Sequence, residues 1–380
     1  MRIGIDIRSL QGPYRTGIGT YTAELLNALF KIDLTNEYFL FGNSVGQPIK
    51  ITWSQPNVHL IYTHYPNKIL NAGLCVFNQP KLDTLLAKSA KIKNLDYFFS
   101  PHLNFTALSP TTKHIITIHD LTFALFPEFL TYRQQLWHHL VWPKKQCEQA
   151  TLILTPSENT KRDLITYYKI PESKIKVLYP GITIPPSEGG SRGVLANSSL
   201  SHLPEKYILF LGTIEPRKNI LALIEAYEMA HTKLTNPISL VIAGAPGWKS
   251  KSIFNHINRS PLRKQIHVIN YVAPEDKYEL YHSASLFVYP SIYEGFGFPV
   301  LEAIQAGVPV ITTNRSSLPE ITDGATYLVN PHRPDELAEG IERILSSPIL
   351  HNHYSIAGLR QVQKYNWEKT AREWLNYLQK

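Results

Sequence analysis

Short apolar runs rich in β-forming residues alternate with helical periodicities along both halves of this chain of 380 residues. In the first half, the predicted strands are 2–7, 37–41, 58–62, 96–99, 114–118 and 151–155, and the predicted helices are 18–31, 81–90, 132–149 and 157–168. In the second half, the predicted strands are 207–212, 238–243, 266–269, 286–289, 308–312 and 326–329, and the predicted helices are 218–232, 275–283, 299–306 and 334–346. Strands that alternate with helices form parallel sheets covered on both faces, so the pattern predicts an α/β fold of two Rossmann-like domains.

A segment dense in proline, glycine and serine separates the two halves. It begins at Pro185-Pro186 and continues through Asn197, and this composition is typical of a linker. We therefore predict a first domain over 1–183, a linker over 184–205 and a second domain over 206–359. Ligands of open α/β sheets bind outside the carboxyl ends of the strands, so we expect a site in a cleft where the two domains face each other.

The composition narrows the class of protein. Apolar residues make up 43% of the chain and charged residues 18%, which are globular values. The N-terminal residues alternate like a buried strand and lack the apolar core of a signal peptide, and no apolar run is long enough to span a membrane. With only two cysteines, Cys75 and Cys147, we expect no disulfide framework and a reducing, cytoplasmic setting.

The positive charge is concentrated in the first half. Residues 1–183 hold 19 Lys and Arg against 12 Asp and Glu, a balance of +7, whereas the remaining residues hold 19 against 18, a balance of +1. We therefore expect the first domain to meet an anionic surface, such as the inner face of a cell membrane. The stretch Lys81–Lys93, with Leu82, Leu85 and Leu86 at helical spacing, predicts either a basic helix lying on that membrane or a surface helix packing its leucines on the sheet.

Residues 291–302 carry the strongest chemical signal. Glu294 and Glu302 bracket a loop that contains Gly295 and Gly297 and runs into Pro299, where we expect a helix to begin. The glycines let a ligand approach backbone N–H groups at the positive end of the helix dipole. Such a site suits an anion that carries hydroxyl groups, with phosphate at the helix terminus and the carboxylates accepting from the sugar.

The surroundings of this loop resemble a known family. The loop follows the apolar strand Leu286–Pro290 and precedes Gly307-Val-Pro-Val-Ile-Thr-Thr and Ser317-Leu-Pro-Glu320. This order, with two glutamates eight positions apart, resembles the nucleotide-sugar site of the family 4 (group 1) retaining glycosyltransferases. The resemblance implies the GT-B fold, with the acceptor held mainly by the first domain and the donor mainly by the second. It also implies that the C-terminal helix, within 360–380, packs back on the first domain.

The same resemblance assigns roles to several residues. It implies that Glu294 binds sugar hydroxyls near the reacting centre and that Glu302 binds the ribose hydroxyls. The nucleotide-sugar site would also include Gly295, the backbone N–H groups of Phe296, Gly297 and Phe298, and a contact of Tyr271 and Val272 with the base.

Gly17-Ile-Gly19 follows the first strand and opens the first helix, where N–H groups point towards a phosphate. The fingerprint Gly-x-Gly-x-x-Gly is incomplete because Thr22 stands at the third glycine position, which weakens the dinucleotide-dehydrogenase interpretation. In the resembling family, a glycine matching Gly17 lies beside the donor diphosphate.

His119 follows the predicted strand 114–118, at the carboxyl edge where a cleft is expected. The resemblance implies that His119 lies beside the transferred sugar and helps to orient it. The pairs His138-His139 and His351-Asn-His353 fall at helix or surface positions, so we do not expect them to bind metal.

Glu215-Pro-Arg217-Lys218-Asn follows a strand and Gly212, and precedes a helix. Two cations at a helix start oppose its dipole, whereas a diphosphate in front of them makes the arrangement favourable. The resemblance assigns Lys218 to the diphosphate. The family often has an arginine directly after the glycine; here that position is Thr213, and Arg217 is our candidate for the missing charge.

These observations favour transfer of a hexose from a nucleotide diphosphate sugar to a glycan or polyprenyl-linked acceptor, with retention implied by the resemblance. Because the chain has no Asp-x-Asp motif, we expect fixed cations to replace a metal, no further cofactor, and no nucleic-acid partner. The first candidate for the donor is GDP-mannose, since residues 117–123 and 212–219 resemble those of bacterial surface-polysaccharide mannosyltransferases. The alternatives are a UDP-sugar-dependent glucosyl or N-acetylglucosaminyl transferase, an NAD-dependent oxidoreductase, a non-catalytic polyanion- or membrane-binding protein, and a sugar-nucleotide epimerase or phosphorylase.

Overall fold

The computed structural model describes residues 1–11, 17–43, 53–183, 200 and 203–379. The described chain divides into two compact units. Unit 1 comprises 1–121, 132–181 and 365–380, and unit 2 comprises 122–131 and 182–364. Segment 122–131 therefore packs within unit 2, although our sequence division puts it in the first domain. Most of the segment that we interpret as a linker, 184–199 and 201–202, lies outside the described residues.

Unit 1 is built on a sheet of seven parallel strands in the order β3-β2-β1-β4-β5-β6-β7. The strands are β1 Arg2–Asp6, β2 Glu37–Asn43, β3 Val58–Thr63, β4 Tyr97–Ser100, β5 Lys113–Thr117, β6 Leu152–Thr155 and β7 Ile175–Val177. The order reverses between β1 and β4, whose registers align Ile3 with Tyr97. A crevice at such a switch point is where α/β sheets bind ligands.

The helices described in the first half of the chain are α1 Gly17–Ile32, α2 Asn67–Ala72, α3 Leu82–Ser89, α4 Thr122–Leu125, α5 Tyr132–Val141, α6 Pro143–Gln149 and α7 Glu158–Tyr168. All of them except α4 belong to unit 1. A five-residue π-helical turn, Gly73–Phe77, follows α2 directly.

Unit 2 is built on six parallel strands in the order β10-β9-β8-β11-β12-β13. The strands are β8 Tyr207–Leu211, β9 Ser239–Ala243, β10 Ile266–Ile269, β11 Ala284–Tyr289, β12 Val310–Thr313 and β13 Tyr327–Val329. Its helices are α8 Ile220–His231, α9 Lys251–Arg259, α10 Lys277–His282, α11 Phe298–Gln305, α12 Leu318–Thr322, α13 Pro334–Ser346 and α14 Pro348–Val362. The order reverses between β8 and β11, which are fully buried over most of their length.

The last helix, α15 Trp367–Leu378, returns to unit 1 after the chain has passed through unit 2. Trp374 is fully buried, with its ring 5.3 Å from that of Phe99 on β4. Thr370 donates a hydrogen bond to the carbonyl of Tyr179 at 2.7 Å. A Cβ on Gly181 would lie 2.2 Å from the backbone nitrogen of Trp367, so the chain passes this helix closely enough to require glycine.

The prediction of one helix over 132–149 is wrong. The helix ends at Val141, Trp142 takes a left-handed conformation with φ 55°, and a second helix begins at Pro143. Proline disfavours the α-helical conformation for the residue before it, and Pro143 supplies no N–H to continue the ladder. Strand β7 and helices α2, α9, α12 and α14 were also missed, because they are short or lack a clear apolar period.

The interpretation of Lys81–Lys93 as a membrane-lying helix is wrong. Helix α3 forms, but Leu82 and Leu86 are fully buried in a hydrophobic cluster that includes Phe98, and Leu85 packs against the same cluster. The leucines therefore pack on the sheet, which was the alternative interpretation of this stretch. No helix in the described ranges is long and apolar enough to cross a bilayer.

Candidate active site

A tight loop joins β11 to α11 and carries Glu294. Gly297 precedes the helix with φ 112°, and a Cβ there would lie 2.8 Å from Leu318 Cδ2, so only glycine fits without strain. The helix begins at Phe298, one residue before Pro299. The hydroxyl of Ser317 donates to the carbonyls of Glu294 and Phe296 at 3.0 and 2.8 Å. These bonds hold the loop at the helix N-terminus.

The carboxylate of Glu294 is buried among cations. Its Oε1 accepts from Lys218 Nζ at 2.5 Å and from Ser291 Oγ at 2.6 Å, and its Oε2 lies 2.9 Å from Arg217 Nη1. Burial alone raises the pKa of a carboxyl, but Arg217 and Lys218 more than reverse this and lower the pKa of Glu294 to about 2. Glu294 therefore remains an anion at physiological pH.

Lys218 and Arg217 are both engaged by this cluster. Lys218 Nζ donates to Tyr289 Oη and to Glu294 Oε1, each at 2.5 Å, which accounts for two of its three protons. Burial, reinforced by the adjacent Arg217, lowers the pKa of Lys218, although Glu294 opposes the shift. Arg217 also contacts Glu215 Oε1 at 2.9 Å and donates to the Tyr293 carbonyl at 2.7 Å. Two cations and two carboxylates thus form a locally neutral network.

Glu302 lies in a second polar cluster, past the first turn of α11. It is 8% exposed, its two oxygens lie 3.1 and 3.2 Å from Lys277 Nζ, and it accepts from Tyr281 Oη at 2.8 Å. Burial, together with the Glu302 charge, raises the pKa of Tyr281 well above its ordinary value. The structure therefore places Glu294 on the loop before α11 and Glu302 on the helix itself, each with a cationic partner.

The other residues expected at the nucleotide-sugar site lie on the loops of unit 2. Phe296 is buried with its ring 5.2 Å from that of the half-buried Phe298, and Gly295 is buried between Glu294 and Phe296. Tyr271 and Val272 follow β10; the tyrosine is 43% exposed and the valine is buried. Thr213 is exposed directly after Gly212 at the end of β8.

Sequence reasoning missed Gly244, which stands at the end of β9 with φ 141°. A Cβ at this position would lie 2.0 Å from the carbonyl oxygen of Gly212, a separation that real atoms do not adopt. The two glycines let the neighbouring loops after β8 and β9 approach each other beside Thr213. A glycine directly after each of two buried strands is the signal that could have found this pair.

A large cavity of unit 2 lies away from these residues. Its volume is about 1210 Å³, and its lining includes Glu279, His282 and His351. It also includes Ala284, where β11 begins, and Pro309, just before β12, so it opens at the amino ends of the strands. The glutamates and cations described above follow the carboxyl ends instead, where chemistry in α/β sheets is found.

In unit 1, His119 follows β5 and is held in one orientation. Its Nε2 lies 2.8 Å from the carbonyl of Pro101, and the ring of Tyr21 meets it edge-on at 4.8 Å. Burial lowers the pKa of His119, so the imidazole is neutral near pH 7. A carbonyl only accepts, so Nε2 carries the proton and Nδ1 is the acceptor.

The glycines Gly17 and Gly19 open α1, as expected. Gly17 is exposed, and a Cβ there would meet nothing within 4 Å, whereas Gly19 is buried. The described contacts give no steric reason for glycine at position 17.

Sequence reasoning also missed a buried ion pair at the end of β1. Asp6 is fully buried, and Arg8 Nη2 contacts it at 2.6 Å while donating to the Phe105 carbonyl at 2.8 Å. Burial would raise the pKa of Asp6, but Arg8 and His102 hold it below its ordinary value. The sequence signal for this pair is an aspartate at the end of a strand, Asp6, followed two positions later by an arginine, Arg8.

The chain also matches two known protein families. Residues 194–361 match the family described as glycosyl transferases group 1, and residues 15–184 match glycosyltransferase family 4. O-antigen chain mannosyltransferase B of Escherichia coli is 30% identical over 72% of this chain and 72% of its own. The serotype-specific mannosyltransferase WbdA of Escherichia coli is 29% identical over 59% of this chain, which spans only 28% of that longer protein.

The structure also has close neighbours among solved proteins. Sucrose-phosphate synthase from Thermosynechococcus elongatus superposes with a TM-score of 0.75 over 100% of this chain and 98% of its own, at 19% identity. This likeness shows the fold, which is that of the GT-B glycosyltransferases. The chain belongs to the group 1, family 4 glycosyltransferases, and the protein is a hexosyltransferase.

Two histidines of unit 1, the half-buried His102 and the buried His114, predict a pH dependence of its stability. Burial lowers the pKa of His102 and of His114 to about 4, in both cases against the opposing Asp6 charge, and Arg8 and His119 lower that of His102 further. Below pH ~6.5 the unfolded chain binds protons that the native state does not, so stability falls as the pH drops towards ~4.

We expect the His114→Gln variant to lose part of this slope, about 1.4 kcal/mol per pH unit for one histidine. Urea denaturation between neutral and acidic pH measures the slope, with His332→Gln at an exposed position as the control. An identical slope in wild type and His114→Gln would contradict the prediction.

Proposed function

We propose that this hexosyltransferase transfers mannose from GDP-mannose, with retention at the anomeric carbon, to a glycan or lipid-linked acceptor of a bacterial surface polysaccharide. The observation that carries the donor site is the pair Glu294 and Glu302 at the start of α11, each buried beside a cation. The choice of mannose rests on two matched relatives that are named mannosyltransferases, one of them a mannosyltransferase of the O-antigen chain.

Glu294 and Glu302 would hold hydroxyl groups. A carboxylate has about four acceptor positions, and Lys218, Ser291 and Arg217 occupy three of those of Glu294. A sugar hydroxyl would also donate to this carboxylate, and the fixed charge would orient the sugar near the reacting centre. Glu302, with Lys277 and Tyr281 behind it, would accept from the ribose. The exposed face of Tyr271 offers a surface for the base, with Val272 behind it.

The leaving diphosphate needs compensation for its developing charge. Arg217 and Lys218 sit in front of α8, and the N–H groups of Phe298 and its neighbours begin α11. Lys218 already donates two hydrogen bonds within the protein. Its third N–H would donate a hydrogen bond to a phosphate oxygen of the donor. Fixed cations and a helix terminus can stabilise such charge without a metal ion.

In unit 1, His119 would orient the transferred sugar. Its neutral ring presents an acceptor nitrogen to a hydroxyl, because Nε2 is committed to Pro101. Gly17, which is exposed, and Gly19 lie in the first turn of α1. The backbone of this turn would lie against the diphosphate. The acceptor, held by this unit, would be presented at the inner face of the cell membrane, and the enzyme would act from the cytoplasm as a peripheral protein.

The alternative donor class is a UDP-sugar. This class is favoured by solved structures of similar fold that contain UDP. One of them is the Anabaena protein HepE, which superposes on this chain with a TM-score of 0.65. Membership of the family excludes the NAD-dependent oxidoreductase and the non-catalytic binding protein as primary functions.

Thermal shift with a panel of nucleotide sugars tests the donor. We expect GDP-mannose to raise the melting temperature, because a ligand that binds only the native state stabilises it by about 2.7 kcal/mol at 100 times its Kd. UDP-glucose, UDP-N-acetylglucosamine and NAD serve as comparisons. A shift by a UDP-sugar alone would replace mannose by the alternative class.

Removing either side of the buried pair should abolish most turnover. Glu294→Gln and Lys218→Ala should each lower kcat by at least roughly 100-fold, the scale of one preorganised transition-state contact. We expect His119→Ala to lower kcat as well. Lys233→Ala and Glu342→Gln, from an exposed ion pair of the same unit, are the matched controls. A correctly folded variant with wild-type kcat removes that residue from the site.

Chelation should leave the reaction intact. The proposed compensation of the diphosphate uses Arg217, Lys218 and the start of α11, so EDTA should change kcat little. Initial rates with and without EDTA provide the measurement. Complete loss of activity that Mn²⁺ or Mg²⁺ restores would refute the role given to these fixed charges.

A further inference from the structure

Three neighbouring segments of unit 1 share one hydrophobic cluster. Leu70 of α2, Leu74 of the π-helical turn and Val141 of α5 are buried in it, and Trp137 packs against it. The thiol of Cys75 lies 3.6 Å from the carbonyl of Leu140. The turn that follows α2 and the C-terminal part of α5 therefore lie side by side, and their outward faces form one continuous surface.

The outward face of these segments is apolar. On the first segment, Ile69, Val76 and Phe77 are 66%, 70% and 75% exposed. On α5, Tyr132, Leu136 and Leu140 are 81%, 45% and 39% exposed and stand four residues apart, so they form one stripe along the helix. Trp142 ends the stripe at 56% exposure. Single exposed apolar residues are ordinary, but a contiguous group of this kind marks an interaction site.

The same surface is basic at its margin. Residues 64–82 and 129–147 contain no Asp or Glu, and they carry Lys68, Arg133, Lys144 and Lys145 at exposed positions. Lys145 Nζ lies 5.3 Å over the ring of Trp142. An exposed aromatic residue beside a lysine is the combination that anchors peripheral proteins at the boundary between lipid headgroups and acyl chains.

We propose that this apolar-basic surface, formed by Ile69, Val76, Phe77, the α5 stripe and Trp142, docks unit 1 on an anionic bilayer. The inference rests on the proposed membrane-presented acceptor, and it names the part of the chain that makes the contact. Apolar side chains enter the headgroup boundary while the basic residues meet the lipid charge. Lys144 lies 3.9 Å from Glu148 just beyond the second segment, and the four exposed cations exceed this single exposed carboxylate, which gives the charge complementarity that favours this partner. The surface differs from α3, whose leucines are buried.

Co-sedimentation of the full chain with vesicles tests the proposal. Vesicles of phosphatidylcholine and phosphatidylglycerol in equal parts should bind the protein, and pure phosphatidylcholine should bind it much less. The double variant Lys144→Glu, Lys145→Glu should weaken binding at least about tenfold, since each cation at an anionic surface accounts for about fivefold. Phe77→Ser with Leu136→Ser should weaken it at both low and high salt.

The matched controls are chosen from other exposed positions. Lys88→Glu with Lys93→Glu reverses two lysines on and just after α3, and Ile349→Ser with Ile356→Ser removes two exposed apolar residues of unit 2. Neither pair should change binding as much. No vesicle binding by wild type, or equal losses in test and control pairs, would overturn the proposal.

Two further readouts separate this surface from the donor site. The variants should keep the wild-type melting temperature and the wild-type thermal shift with GDP-mannose, because the surface is outside the nucleotide-sugar site. If the wild type shows no such shift but binds vesicles through these residues, the proposed donor fails and the surface stands. If size-exclusion chromatography shows a dimer that the same substitutions dissociate, the surface joins two copies of the chain and the membrane proposal fails.

Discussion

The contact between Glu294 and the adjacent cations Arg217 and Lys218 is the interaction on which the rest of the site depends. Removing one partner from a buried pair typically costs about 3–5 kcal/mol, because the other charge is left uncompensated in a low dielectric. The pair joins two loops that follow different strands: the Arg217 carbonyl also accepts from the backbone of Ile292 and the hydroxyl of Ser291. One network thus fixes both the charge state and the position of the loop before α11.

Because this network is locally neutral, it can preorganise the site without ligand. Two free cations would repel each other, whereas Glu215 and Glu294 keep Arg217 and the buried Lys218 in place. Unit 1 has a similar buried ion pair between Asp6 and Arg8, at the end of β1, which is one of the two strands that flank its switch point. In both units, buried charge at the carboxyl edge of a parallel sheet is stabilised by an oppositely charged neighbour close in sequence or space.

The surface of unit 1 shows how a charge argument and a packing argument differ. The uneven charge of the chain indicates that the first half is the more basic one. The leucines between Lys81 and Lys93, however, pack in the hydrophobic core of that half. The exposed residues of the apolar-basic surface lie instead on α2, on Gly73–Phe77 and on α5, where a break at Trp142 and Pro143 turns the chain. Periodicity alone does not distinguish a helix face that packs on a sheet from one that meets solvent, because both repeat every 3.6 residues.

The sequence by itself determined the class of fold, most strand positions, and the loop with Glu294, Gly297 and Glu302, because strand–helix alternation and glycine-rich turns are local patterns. It also determined the family, through motifs contiguous along the chain. Only the tertiary structure decided that Lys218 is buried against Glu294 and that residue 244 must be glycine because the Gly212 carbonyl lies so close to it. These contacts join residues far apart in sequence, and their energies depend on burial and distance, which no local pattern specifies.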